Sequence, residues 1–125
     1  IDKGGHARLA DFSLITVIPD PSTFVSTCVE GGALRWMSPE LLDPESFKLK
    51  EARPTKESDC YALGMAIYEV LSGQVAFATY DPFDTFANIL RDVRPARPQG
   101  ELGKSFTNDI WETVNLCWKP QPSDR

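Results

Sequence analysis

Apolar positions along the chain fall into distinct rhythms, and each predicts a different local structure. Asp59-Cys60-Tyr61-Ala62-Leu63-Gly64-Met65-Ala66-Ile67-Tyr68-Glu69-Val70-Leu71 is apolar on nearly every helical face, the pattern of a segment surrounded by protein. This helix is expected to begin near Ser58, to end at Ser72-Gly73 and to form the centre of the core. Phe86, Ile89, Leu90 and Val93 recur every three or four residues, which predicts a shorter amphipathic helix from Asp84 to Val93, closed by Pro95 and Pro98. Phe106, Ile110, Val114 and Cys117 or Trp118 repeat at the same spacing and predict a third helix from Ser105 to Trp118.

The first ten residues read differently. Ile1-Asp2 and His6 to Ala10 flank Lys3-Gly4-Gly5, so two short strands around a glycine turn are expected. From Asp11 to Met37 no period is sustained, and Pro19, Pro21, Gly31 and Gly32 predict a long loop; long ordered loops are often functional. Ser38-Pro39-Glu40-Leu41-Leu42 is a compact helix start, with a hydroxyl at the cap, proline at the first helical position and an acid in the first turn. Pro44 keeps that helix short, and Phe47 to Pro54 is charged and connective. The fold class is therefore mainly α with a small N-terminal β-hairpin.

Composition narrows the function classes. The 125 residues are 42% hydrophobic, enough for one domain with a sizeable core. A net charge of -5 with scattered basic residues argues against nucleic acid as a partner, since phosphate neutralisation needs a basic stripe. No apolar run reaches the roughly 20 residues of a membrane helix. Cys28, Cys60 and Cys117 are too widely spaced for a zinc knuckle and odd in number, which fits a reducing intracellular setting such as the cytoplasm. His6 has no nearby nucleophile, so triad chemistry has no support. The chain opens on Ile1 and stops at Arg125 inside what reads as a continuing segment, so a fragment is expected.

Asp11 is the first candidate for chemistry. At the end of Leu9-Ala10-Asp11-Phe12-Ser13 it suits a loop cap, or a ligand for Mg²⁺, a hard ion that prefers oxygen. Its company matters more. The ordered motifs Ala10-Asp11-Phe12, Arg35-Trp36-Met37-Ser38-Pro39-Glu40, Ser58-Asp59-Cys60-Tyr61-Ala62-Leu63-Gly64 and Cys117-Trp118-Lys119-Pro120 with Arg125 resemble the second half of a protein kinase domain over nearly the whole chain. The resemblance implies an incomplete large, C-terminal lobe: the end of the catalytic-loop hairpin, an activation segment over 11–40 and helices over 41–125.

It also implies roles. Asp11 matches the aspartate of Asp-Phe-Gly, the catalytic residue that binds the Mg²⁺ bridging the ATP phosphates, and Phe12 would pack beneath a helix of the small lobe. Glu40 matches the glutamate of Ala-Pro-Glu, with Ser38 in the alanine place, and Arg125 matches the arginine that pairs with it. Asp59 could simply cap its helix; by resemblance it holds the backbone of the catalytic loop. Arg35, Trp36 and Met37 resemble the wall of the pocket that receives the protein substrate. Arg-Trp-Met is typical of tyrosine kinases and of the tyrosine-kinase-like serine/threonine group, and Tyr68 to Gln74 resembles fungal kinases of the latter kind. No proline precedes Arg35, which favours serine/threonine acceptors. Ser22, Thr23, Ser26 and Thr27 are candidate phosphosites in the loop, where a phosphate could recruit an arginine, although hydroxyls are common in any loop.

Two positions depart from the family pattern. Ser13 stands in the glycine place of Asp-Phe-Gly, where it has less backbone freedom. Ala33 replaces a threonine that bonds the catalytic aspartate and lysine in serine/threonine kinases. The glycine-rich loop, strand lysine, its glutamate partner and the catalytic-loop aspartate and asparagine are not among these residues, so the chain by itself is expected to be inactive. Two alternatives to an active enzyme are a pseudokinase scaffold and an unrelated helical adaptor.

Overall fold

The computed structural model describes residues 1–8, 10 and 32–125. Asp11, Phe12, Ser13, Ser22, Thr23, Ser26, Thr27 and most of the expected loop lie outside the described residues.

Among the described residues five α-helices follow one another: α1 (Pro39–Leu42), α2 (Lys56–Ser72), α3 (Pro82–Leu90), α4 (Gly100–Gly103) and α5 (Asn108–Cys117). Short 3₁₀ turns at Ala33–Trp36, Glu45–Phe47 and Pro122–Asp124 complete the described elements. The mainly helical class holds, but the expected strands do not appear among the described residues. The turn itself forms, with the Asp2 amide donating to the His6 carbonyl at 2.9 Å. The Asp2 carboxylate accepts from the Gly4 and His6 amides, both at 2.9 Å. A side chain that satisfies amides locally in this way offers the backbone an alternative to a strand ladder.

Helix α2 starts earlier than its apolar run. Thr55 is the cap: its hydroxyl accepts from the Ser58 amide at 3.2 Å, and the Ser58 hydroxyl accepts from the Thr55 amide at 2.8 Å. This reciprocal pair satisfies two amides that the first turn leaves without helical partners. At the far end Gly73 takes φ 66° and its amide reaches the Glu69 carbonyl at 2.8 Å, a left-handed stop that glycine adopts without strain.

The expectation that α2 is covered on every side is corrected. Ser58, Tyr61, Met65, Tyr68 and Ser72 form one buried face, whereas Leu63 is 53% and Val70 80% exposed. The apolar content of a helix records what it can bury, and no described residue covers this second face.

Two further boundaries shift. Helix α3 begins at Pro82 because the Asp81 carboxylate accepts from the Asp84 amide at 2.8 Å. It ends at Leu90 because Asp92 turns left-handed, with φ 60°, leaving Val93 outside the helix and exposed. Helix α5 begins at Asn108, where Thr107 caps the Ile110 amide at 3.3 Å. Across α2, the Tyr68 ring lies 5.8 Å from Phe106 and 6.0 Å from Trp118, and Trp111 stands edge-on to both Phe106 and Trp118. Such tilted aromatic pairs add about 0.5–1.5 kcal/mol each beyond their burial.

Candidate functional site

The described part of the candidate site is built around residues 32–40 and what holds them. Glycine at position 32 takes φ 78° and opens the 3₁₀ turn Ala33–Trp36. Pro39 then starts α1 from its first turn, where a missing N–H is no loss. Between them, Met37 and Ser38 are buried, and Trp36 packs partly against the core.

One anchor is an ion pair. The Glu40 carboxylate and the Arg125 guanidinium meet at 2.6 Å with side chains 3% and 0% exposed. Arg125 also donates to the Glu57 carbonyl at 3.1 Å, which ties the C-terminal residue to the first turn of α2. The Arg125 and Arg94 guanidinia lie 5.4 Å and 5.3 Å from the centre of the Tyr61 ring. Burial pushes the Tyr61 hydroxyl well above the ordinary phenol value, and the two cations oppose that shift only in part. Two charges out of water cost several kcal/mol each to desolvate, so the pair is stable only while both partners remain.

The second anchor was not foreseen. The Arg35 guanidinium donates to the Ala76 carbonyl at 3.2 Å, the Phe77 carbonyl, the Tyr80 carbonyl at 2.9 Å and the buried Thr85 hydroxyl at 3.3 Å. Phe77 is buried with φ 58°, a left-handed conformation rare for a bulky residue and worth about 1–3 kcal/mol of strain. The fork of Arg35 converges on the carbonyls of that strained bend, a role a single point charge fills poorly. The guanidinium also borders a cavity of about 210 Å³ with Gly32, Leu34, Pro82 and Thr85.

The expected residues therefore separate into groups. Glu40 and Arg125 meet; Arg35, Trp36 and Met37 adjoin one another, but Met37 faces the core and most donors of Arg35 are engaged by backbone. Asp59 is exposed, one residue beyond the capping box, so the cap it was considered for belongs to Thr55. Ala33 sits in the 3₁₀ turn that precedes Met37. Asp11 and Phe12 are outside the described residues. Arg94 was missed: its side chain is 11% exposed and donates to the Trp118, Ile89 and Val93 carbonyls at 3.0, 3.2 and 2.9 Å. An arginine among prolines carries no periodic signal that would have marked it.

Among the described residues no three His, Cys, Asp or Glu side chains converge to hold a metal ion. No helix among them is long and apolar enough to cross a membrane.

The sequence profile of the family described as protein tyrosine and serine/threonine kinase matches residues 1–125. The chain belongs to this protein kinase family. It is 26% identical to the serine/threonine-protein kinase VIK of Arabidopsis thaliana, with 96% of this chain and 25% of that protein covered. It is 28% identical to the receptor-interacting serine/threonine-protein kinase 3 of Homo sapiens, over 100% of this chain and 24% of that protein. With the light-sensor protein kinase of Ceratodon purpureus the identity is 28%, over 96% of this chain and 10% of the relative. This kinase chain thus spans a quarter or less of the length of these relatives.

Proposed function

We propose that this chain is the large-lobe part of an ATP-dependent protein kinase that phosphorylates serine or threonine in protein substrates. The observation that supports this most is the buried Glu40–Arg125 pair, because it pins the C-terminal end of segment 11–40 to the helical body at α2. A segment anchored there and at Arg35 offers a fixed wall for an acceptor peptide, and positioning is the main work of phosphoryl transfer. Names of relatives such as VIK support serine/threonine acceptors, while the dual specificity protein kinase shkE of Dictyostelium discoideum keeps tyrosine within range.

The finer assignment is to the tyrosine-kinase-like group in its fungal form, acting in the cytoplasm on Mg²⁺-ATP. Asp11 is the residue that would hold the metal, whose charge neutralises the transferring phosphate when bound. Asp11 lies outside the described residues. Asp59 holds the catalytic-loop backbone, Phe12 packs against the small lobe, and Ser22, Thr23, Ser26 and Thr27 are candidate sites of regulatory phosphorylation. This chain alone transfers no phosphate, because the glycine-rich loop, the strand lysine and the catalytic-loop aspartate are not among its residues.

A pseudokinase scaffold is the second reading, favoured by Ala33, which carries no hydroxyl at the threonine place, and by Ser13. Incubating the full-length protein with Mg²⁺-ATP and a mixed serine, threonine and tyrosine peptide library separates the two. Phosphoserine or phosphothreonine that disappears in Asp11→Ala is the expected result. Equal residual transfer in Asp11→Ala removes Asp11 from the mechanism, and no transfer by either form assigns the chain to a scaffold.

A further inference from the structure

Helix α2 comes close to α5 at Gly64. A Cβ added there would lie 2.8 Å from the Cys117 Cβ and 3.5 Å from the Val114 carbonyl oxygen. Cys60 is one helical turn before Gly64 on the same face of α2, and residues four apart on a helix are neighbours at about 5–6 Å. The glycine thus lets the backbone of α2 approach Cys117 closely enough for the preceding turn to bring Cys60 beside it. Both cysteines carry free thiols, with Cys60 half-buried and Cys117 buried at 8% exposure. Burial first, and then the neighbouring Cys60 thiol, push the Cys117 thiol above its ordinary value. Kinase chemistry as described above uses neither sulfur.

We propose that Cys60 and Cys117 form an oxidisable dithiol, a modification site at which a peroxide links α2 to α5 through a disulfide. The order of events follows exposure. Cys60, the more accessible thiol, attacks one peroxide oxygen as its thiolate; the O–O bond breaks, Cys60 becomes a sulfenic acid and one water leaves. The Cys117 sulfur then attacks the Cys60 sulfur; an S–S bond forms, the S–O bond breaks, and hydroxide departs with the Cys117 proton as a second water. Two thiols lose two hydrogens and two electrons, and the peroxide gains them. Until the sulfenic acid exists, Cys117 is held as a buried thiol, so over-oxidation falls on Cys60 only when the partner is removed.

The bridge joins helices distant in sequence, so its reduction or oxidation changes how tightly α5 is held without touching residues 32–40.

The test is peroxide treatment of the full-length protein, alkylation of remaining thiols and peptide mapping without reductant. A peptide pair joining Cys60 to Cys117, cleaved by dithiothreitol and absent from both Cys60→Ser and Cys117→Ala, is the expected result. In Cys117→Ala, Cys60 is expected to accumulate as sulfenic or sulfinic acid. Wild-type protein in which both cysteines remain alkylatable at peroxide doses that oxidise Cys60 in Cys117→Ala overturns the proposal. So does a bridge from either cysteine to Cys28. Because Cys60→Ser changes a half-buried position, it serves as the informative variant even where the buried Cys117→Ala folds poorly.

Discussion

Asp2 and Glu40 are both carboxylates with cationic partners, and they illustrate opposite uses of the same chemistry. Asp2 is 27% exposed in its side chain and pairs with Arg8 at 2.9 Å and with His6, partners that are 70% and 75% exposed. Glu40 and Arg125 meet at 2.6 Å with almost no exposure. Water screens the first set, and exposed pairs of that kind contribute little to stability. The second set has lost its water, so its partners depend on each other. Asp2 shapes a local turn; Glu40 joins α1 to Arg125, 85 residues further along.

The largest expected effect comes from breaking the buried pair. Glu40→Gln leaves the Arg125 charge without its counterion and is expected to lower unfolding free energy by about 3–5 kcal/mol in urea titration. Next is Arg35→Lys, which keeps the charge but loses the fork that serves Ala76, Phe77, Tyr80 and Thr85. Hydrogen bonds from charged donors are worth about 1.5–3 kcal/mol each, so a loss of about 2 kcal/mol is expected, read in the same titration.

Tyr61→Phe sharpens the comparison from the other side. The buried Tyr61 hydroxyl has no hydrogen-bond partner among the described residues, so removing it is expected to leave stability at pH 7 unchanged or raised by up to about 1 kcal/mol. Its folded-state ionisation is shifted upward by burial. The unfolded chain therefore ionises first as pH rises, and stability present below about pH 10 is lost above it. Melting curves between pH 9 and pH 11, roughly bracketing the free phenol value, should show a shallower alkaline decline in Tyr61→Phe.

The smallest effect belongs to Asp2→Asn. The Asp2 carboxyl is held below the usual range by the His6 amide first and by Arg8 next. A lowered carboxyl contributes stability above its unfolded value and loses it as pH falls through the folded one. At an exposed site this dependence is screened, so Asp2→Asn should melt within error of wild type at pH 7.

These contrasts also explain what the sequence made legible. Periodicity located α2, α3 and α5, because Tyr61, Ile89 and Val114 must all face one core. It placed the starts of α2 and α3 two residues late and that of α5 three residues early, since Thr55, Asp81 and Thr107 set them through side-chain oxygens rather than hydrophobicity. The apolar run of α2 suggested burial on all sides, yet Leu63 and Val70 are exposed. Glu40 with Arg125 was legible through motif order alone, being 85 residues apart. Arg35 was assigned to a substrate wall through the resemblance of Arg35-Trp36-Met37 to the kinase pocket. The carbonyls of residues 76–80 that occupy it come from a bend whose approach no local pattern encodes.

Residues 32–40 are held in place by the buried Glu40–Arg125 pair. A double-mutant cycle with Glu40→Gln, Arg125→Met and the double variant, measured by urea unfolding, tests it most directly. The expected result is a double variant less destabilised than the sum of the single ones by at least about 1 kcal/mol, because removing both charges leaves neither stranded. Additive single effects would contradict it.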